Sequence, residues 1–114
     1  MEDCIFCKIR DGVIPSPKVF KNDDFFIIND IDPKAKHHYL AIPKKHFKLI
    51  DEMGEEELGQ LEAIYKTLPS LKTQLGLDNG YRMIINQGDD AGQSVPHLHI
   101  HILGGEELGW KPNK

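Results

Sequence analysis

No run of apolar residues in this chain approaches the ~20 that a membrane-spanning helix needs, so no membrane partner is expected. Positive charge is also short. Fourteen Lys and Arg stand against 18 Asp and Glu, a net charge of −4. The lysines that do cluster, Lys34, Lys36, Lys44, Lys45 and Lys48, are balanced by Asp51, Glu52, Glu55, Glu56 and Glu57. They read as a solvated face rather than a groove for a polynucleotide backbone, so no nucleic-acid partner is expected either. The opening Met1-Glu2-Asp3 is acidic where a secretory signal has a basic segment followed by an apolar one, which predicts a cytoplasmic protein. Internal repeats and low-complexity tracts are absent. There are only two cysteines, Cys4 and Cys7, and in a reducing compartment thiols this close seldom form a structural disulfide.

The chain has 114 residues, 39% of them hydrophobic and 28% charged. That is enough for one core and too little for two, so residues 1–114 are read as a single domain. Residues 5–10 form a short helical piece ended by Asp11-Gly12, and Pro15 and Pro17 stiffen an extended connection. Residues 19–21 and 25–28 read as strands around the polar turn Asn22-Asp23-Asp24. Residues 38–42 make a third strand closed by Pro43, which cannot donate to a ladder. Glu55-Glu56-Glu57 opens one long helix, its core stripe being Leu58, Leu61, Ile64, Tyr65, Leu68, Leu71 and Leu75. Pro69 predicts a kink or a break near Thr67, and Gly76 a cap. Residues 81–86 and 96–103 complete five strands around a glycine-bearing loop, 87–93. Strands, a helical block, then strands again predict an α+β domain: an antiparallel sheet with the helix on one face.

Three of the six histidines fall within five residues, His97, His99 and His101, alternating with Leu98, Ile100 and Ile102. In an extended chain that spacing puts the imidazoles on one face and the aliphatics on the other, the outer rings about 13 Å apart. A row of imidazoles with ordinary pKa values near ~6.5 calls for an anion or a metal beside it. Immediately upstream, Gly92-Gln93-Ser94-Val95-Pro96 offers a hydroxyl, an amide and backbone N–H groups, which are phosphate ligands. Ser94 and His99 are placed to meet at one phosphoryl group.

The segment 92–105 resembles the signature of the histidine triad (HIT) superfamily. The similarity is greatest to its Hint branch of purine nucleoside phosphoramidases. It extends through Phe6, Ile9, Ile14-Pro15, Asp30-Ile31, Pro33, His38, Ile42-Pro43-Lys44-Lys45-His46, Gly80-Tyr81-Arg82, Asn86 and Leu103-Gly104-Gly105 with Trp110. The resemblance implies a HIT-like fold and a homodimer, with the segment around Trp110 reaching toward the partner's site. It also implies that His99 is a nucleophile toward phosphorus and forms a covalent nucleotidyl-histidine. Ser94 and His101 would contact the phosphate, with His38 close by. Asp30 would hold the ribose hydroxyls, and Phe6, Ile9, Ile14, Ile28, Ile31 and Leu40 would line a slot for the base. Gly92, Gln93 and Asn86 would add contacts to sugar and phosphate. The implied activity is release of a purine mononucleotide from a 5′-phosphoramidate. A dinucleoside polyphosphate hydrolase and a nucleotide-binding module with little turnover are the alternatives. Read without the resemblance, Asp30 is a turn former ahead of Pro33, Ser94 an ordinary turn residue and His37 a solvent-facing histidine.

Cys4-Ile5-Phe6-Cys7 has metal-ligand spacing, and a structural zinc site needs two further nitrogen or sulfur ligands. Resemblance to bacterial HIT members with the same opening implies His46 and His97 as those ligands. The zinc would be structural, with none required for the chemistry. A redox pair and simple buried thiols remain the other readings of the two cysteines.

Overall fold

Apolar runs whose side chains alternate between two faces build the sheet, and the computed structural model, which describes residues 4–109, shows how far each strand runs. The helix α1 (Ile5–Arg10) precedes β1 (Lys18–Lys21), β2 (Phe25–Asn29) and β3 (His37–Pro43). Then come α2 (Glu55–Thr67), α3 (Lys72–Leu75), β4 (Tyr81–Ile84) and β5 (Ile100–Gly104). The five strands form one sheet in the order β1-β2-β3-β5-β4, with every neighbouring pair antiparallel. This is the expected α+β architecture. No helix among the described residues is long and apolar enough to cross a membrane. Trp110 lies outside the described residues.

Both faces of the sheet are covered. On one, Leu98, Ile100 and Ile102 join Phe25, Ile27, Tyr39 and Ala41 under the helical block, which contributes Leu61, Ile64, Leu68, Leu71 and Leu75. On the other, Phe26, Ile28, Leu40 and Ile42 pack against Cys4, Phe6, Cys7 and Ile9 of the N-terminal turn and α1. Strict alternation in β2 and β3 supplies both layers from the same strands.

Three expectations need correction, and a fourth is resolved. The helical stripe does not include Leu58 or Tyr65, which are 54% and 49% exposed. At 100° per residue both sit roughly 70–90° round from the centre of the Leu61–Ile64–Leu68 stripe, on its solvent flank. Of the kink or break expected near Thr67, the structure has the break: α2 ends at Thr67, and a 3-10 turn, Leu68–Leu71, leads into α3, which Gly76 closes in the left-handed conformation. The last strand starts at Ile100, not at residue 96, because the β3 ladder ends at Ala41↔Ile100 and Pro43 has no N–H with which to extend it. The Leu98 amide instead donates to the Phe47 carbonyl at 2.7 Å. His37, finally, is half-buried rather than solvent-facing. Its ring stacks on Tyr39 with centroids 6.2 Å apart and packs over Gly76 and Gly105, where any side chain would overlap it.

Candidate active site

Antiparallel register brings distant histidines onto one face. Leu40 stands opposite His101 and His38 opposite Leu103, so His38 and His101 are diagonal neighbours across the β3–β5 pair. Asp30 follows directly after β2, and its amide donates to the His38 carbonyl at 2.9 Å. The result is a compact cluster: His38 Nε2 lies 2.9 Å from His101 Nδ1 and 3.3 Å from Asp30 Oδ2. His99 completes it, with its ring centroid 5.1 Å from that of His101.

Hydrogen bonds set the tautomers. The Lys34 amide donates to His38 Nδ1 at 3.0 Å, so in the neutral ring the proton sits on Nε2 and points at His101 Nδ1. His101 in turn keeps its proton on Nε2, the nitrogen away from His38. Asp30, His38 and His101 are also close enough for three metal ligands. The Lys34 bond argues against that use, since ligation through His38 Nε2 would put a proton on Nδ1 facing another N–H. His99 Nδ1 donates to the His97 carbonyl at 2.8 Å and leaves Nε2 with a lone pair. Burial pushes the His99 pKa below its ordinary value of 6.5, against the pull of its bond to His97 and of the Asp30 charge. Exposure falls along the row from 9% at His101 to 6% at His99 and 0% at His97. Only the last is sealed from solvent.

Around the cluster, Phe6, Ile9, Ile28 and Leu40 form one apolar patch, with Ile14 and Val95 packed against it. The Phe6 ring meets His99 edge-on with centroids 5.1 Å apart. Ile31 is fully exposed and stands outside this patch. Ser94 is exposed, and its hydroxyl makes no hydrogen bond among the described residues. Gln93 is committed elsewhere. Its side chain accepts from the Gly88 amide at 2.8 Å and donates to the carbonyls of Lys48 and Val95, at 3.0 and 3.3 Å. The amides of Gly92 and Gln93 close the 3-10 turn Asp89–Ala91, with Gly92 at φ 75°. The loop is therefore held rigid by two groups that the sequence suggested for phosphate. Asn86 is half-buried just past β4. A separate cavity of about 510 Å³, lined by His37, Gly76, Asp78, Gly80, Gly105 and Glu106 among others, includes none of His97, His99 and His101.

The fourfold Cys-His set assembles next to the row. Cys4, the N-cap of α1, and Cys7 are both buried, and their sulfurs lie with the Nδ1 atoms of His46 and His97 within 4.8 Å of one another. The sulfur–nitrogen separations are 3.3 Å for Cys4–His97, 3.4 Å for Cys7–His46 and 3.6 Å for Cys7–His97. A tetrahedral zinc with bonds of about 2.3 Å to sulfur and 2.0–2.1 Å to nitrogen has sulfur–nitrogen edges of about 3.5 Å. His97 Nε2 donates to the Pro43 carbonyl at 2.8 Å, which frees Nδ1 as the ligating atom. Burial lowers His46 and takes His97 down to about 4, so both are neutral and able to bind a metal at pH 7. Burial raises the Cys7 thiol, and Cys4 adds to the effect, so a thiolate there needs a cation beside it. These four residues fit a metal ion.

Sequence reasoning missed three contributors. Val95 packs on the apolar patch, and an aliphatic residue inside a polar loop was the available signal. The Pro43 carbonyl and the Lys34 amide orient two histidines, and backbone groups leave no trace in residue identity.

Fold and site together define a small α+β protein with a buried histidine cluster on an open antiparallel sheet, next to a four-ligand Cys-His set. Residues 11–108 match the HIT domain family. An uncharacterized HIT-like protein of Chlamydia muridarum is 42% identical over 105 residues, covering 92% of this chain and 83% of that one. The crystal structure of a HIT family hydrolase from Legionella pneumophila Philadelphia 1 superposes with a TM-score of 0.88 at 38% identity, covering 96% and 99% of the two chains. A histidine triad nucleotide-binding protein from Candida albicans gives a TM-score of 0.79 at 33% identity, covering 96% and 82%. The chain belongs to the HIT family.

Proposed function

We propose that the protein is a nucleotide hydrolase that cleaves purine nucleoside 5′-phosphoramidates through a covalent intermediate on His99. The observation that carries this reading is the His99 ring, neutral and fixed by its Nδ1–H bond to the His97 carbonyl, so that Nε2 is a free base beside the Asp30–His38–His101 cluster. The similar solved structures of a HIT family hydrolase and of a histidine triad nucleotide-binding protein support the class of reaction and of ligand.

In the first step His99 Nε2 forms a bond to the α-phosphorus while the phosphorus–nitrogen bond to the leaving amine breaks. The leaving nitrogen departs as the amine with a proton drawn from solvent. The nucleotidyl-imidazolium keeps its Nδ1 proton on the His97 carbonyl, and Ser94 and His101 hold the equatorial oxygens. Water then adds to phosphorus and releases its proton to solvent, the bond to His99 breaks, and the mononucleotide leaves. Asp30 is assigned to the ribose, and the patch of Phe6, Ile9, Ile14, Ile28 and Leu40 to the base. Asn86, Gly92 and Gln93 are assigned to sugar and phosphate, with the Gln93 side chain bracing the loop through its bonds to Gly88, Lys48 and Val95.

Zinc would be held by Cys4, Cys7, His46 and His97, where it would supply structural cross-linking of the N-terminal turn to the segment that leads into β5. A homodimer formed from a single soluble domain in the cytoplasm completes the proposal.

The decisive experiment quenches turnover of adenosine 5′-phosphoramidate and searches for a nucleotidyl mass increment on His99. The His99→Gly variant is expected to lose at least ~10³-fold in kcat, on the order of 4 kcal/mol. A loss below about tenfold rules His99 out as the nucleophile. Faster cleavage of a diadenosine polyphosphate than of the phosphoramidate would move the assignment to that substrate class.

A further inference from the structure

His97 faces two ways. Its Nδ1 lies 3.3 and 3.6 Å from the sulfurs of Cys4 and Cys7, while its backbone carbonyl accepts the Nδ1 proton of His99 at 2.8 Å. A second connection runs through Phe6, which sits between the two cysteines in sequence. Its ring meets His97 edge-on at 5.8 Å and His99 at 5.1 Å. The helix carrying Phe6 has only six residues, too few to hold its own conformation in water. Its place is set by what it docks on: the Cys-His set, the apolar patch, and two bonds that bring Arg10 to the Lys44 carbonyl and Lys18 to the Ile9 carbonyl.

We infer that metal occupancy at Cys4, Cys7, His46 and His97 controls the nucleotide site by positioning the His99 ring, with the His97 carbonyl and Phe6 as the positioning groups. The inference rests on the reading of His99 as the nucleophile and adds a regulatory input to it. With the metal bound, His97 is pinned from both ring nitrogens, by the metal at Nδ1 and by the Pro43 carbonyl at Nε2. The carbonyl that selects the His99 tautomer is then held still, and Phe6 closes over the ring. Without the metal, the cysteines are released, the short helix loses its clamp, and both constraints on His99 relax. Coupling of this kind is reciprocal: a nucleotide that binds the ordered site tightens metal binding by the same factor.

The test uses the full chain at pH 8. Zinc is titrated against a competing chelator with and without saturating AMP, and the histidine ring nitrogens are followed by long-range ¹H–¹⁵N correlation. In the zinc-loaded protein His99 is expected as a single tautomer with its proton on Nδ1, and after chelation as an average of two. AMP is expected to raise zinc affinity about fivefold or more. Failure to bind zinc, a His99 signal indifferent to zinc, or the same zinc affinity with AMP bound and absent would each overturn the inference. Should the metal-free chain unfold, Phe6→Leu in the zinc-loaded protein decides. Exchange of the His99 Nδ1 proton with solvent is expected to quicken about tenfold, and an unchanged rate overturns the inference. A zinc-responsive His99 that never carries a nucleotidyl group would support the positioning and sink the nucleophile, so the two readings fail separately.

Discussion

His38 Nε2 lies 2.9 Å from His101 Nδ1 although 62 residues separate the two in the chain, since the antiparallel β3–β5 register makes them diagonal neighbours. Lys34, His38 and His101 thus form a directed chain of hydrogen bonds that ends in a donor nitrogen on His101. His38→Ala removes the middle link and leaves His101 free to adopt the other tautomer. The expected result is a fall in kcat of about 10²-fold with a small change in KM. Steady-state kinetics on adenosine 5′-phosphoramidate measure it, and a loss under about threefold means that the chain of bonds has no part in the chemistry.

The pH dependence follows from the direction of the His99 shift. Attack requires the neutral ring, and burial lowers the pKa below 6.5, so the nucleophile stays available as pH falls through 6.5. Activity declines only when pH passes the lowered value. The acidic limb of kcat/KM is expected below pH 6.5, whereas a limb at 6.5 would mean that the ring is solvated in the working enzyme.

Cys4→Ser deletes a sulfur that both caps α1 and sits in the proposed metal set. Elemental analysis is expected to find zinc near one per chain in the unmodified protein and well below that in the variant. The variant is also expected to melt about 5–15 °C lower, the shift that a loss of about 2 kcal/mol produces in a domain of this size. Chelation of the unmodified protein should bring its melting point down to the variant's. If chelation leaves the melting point where it was, the four residues are structural without a metal.

Gly105 adopts φ 85°, and a side chain there would run into the His37 ring. Gly105→Ala is expected to destabilise the fold by about 1–3 kcal/mol, from backbone strain together with displacement of His37 from Tyr39. Denaturant unfolding reads this directly. Gly12→Ala serves as the comparison, since it has a similar φ of 79° and open space around it, and is expected to cost less.

Much of the site could be read from residue order because the signals are local. Alternation of His97, His99 and His101 with Leu98, Ile100 and Ile102 predicts opposite faces, and the aliphatic three do pack under the helical block while the histidines line the other side. The interruption at Pro69 and the turn at Asn22 were equally visible, each being a property of one residue's backbone. The start of β5 was not, since it depends on a missing N–H at Pro43, more than fifty residues earlier in the chain. The setting of His37, which was misjudged, and the bonds of Gln93 were hidden for a related reason. Their partners, Tyr39 with two glycines in one case and three backbone groups in the other, become neighbours only after folding.

Residue order by itself determined which groups this protein can use: imidazoles in a row, two thiols one helical turn apart, and an aliphatic set with the period of a strand. Tertiary structure alone decided which imidazole does what. The three are chemically identical, and they diverge only because folding hands each a different partner: two sulfurs for His97, the His97 carbonyl for His99 and the His38 ring for His101. An imidazole's tautomer and basicity are set by such partners and by burial, and neither is written in the order of the residues.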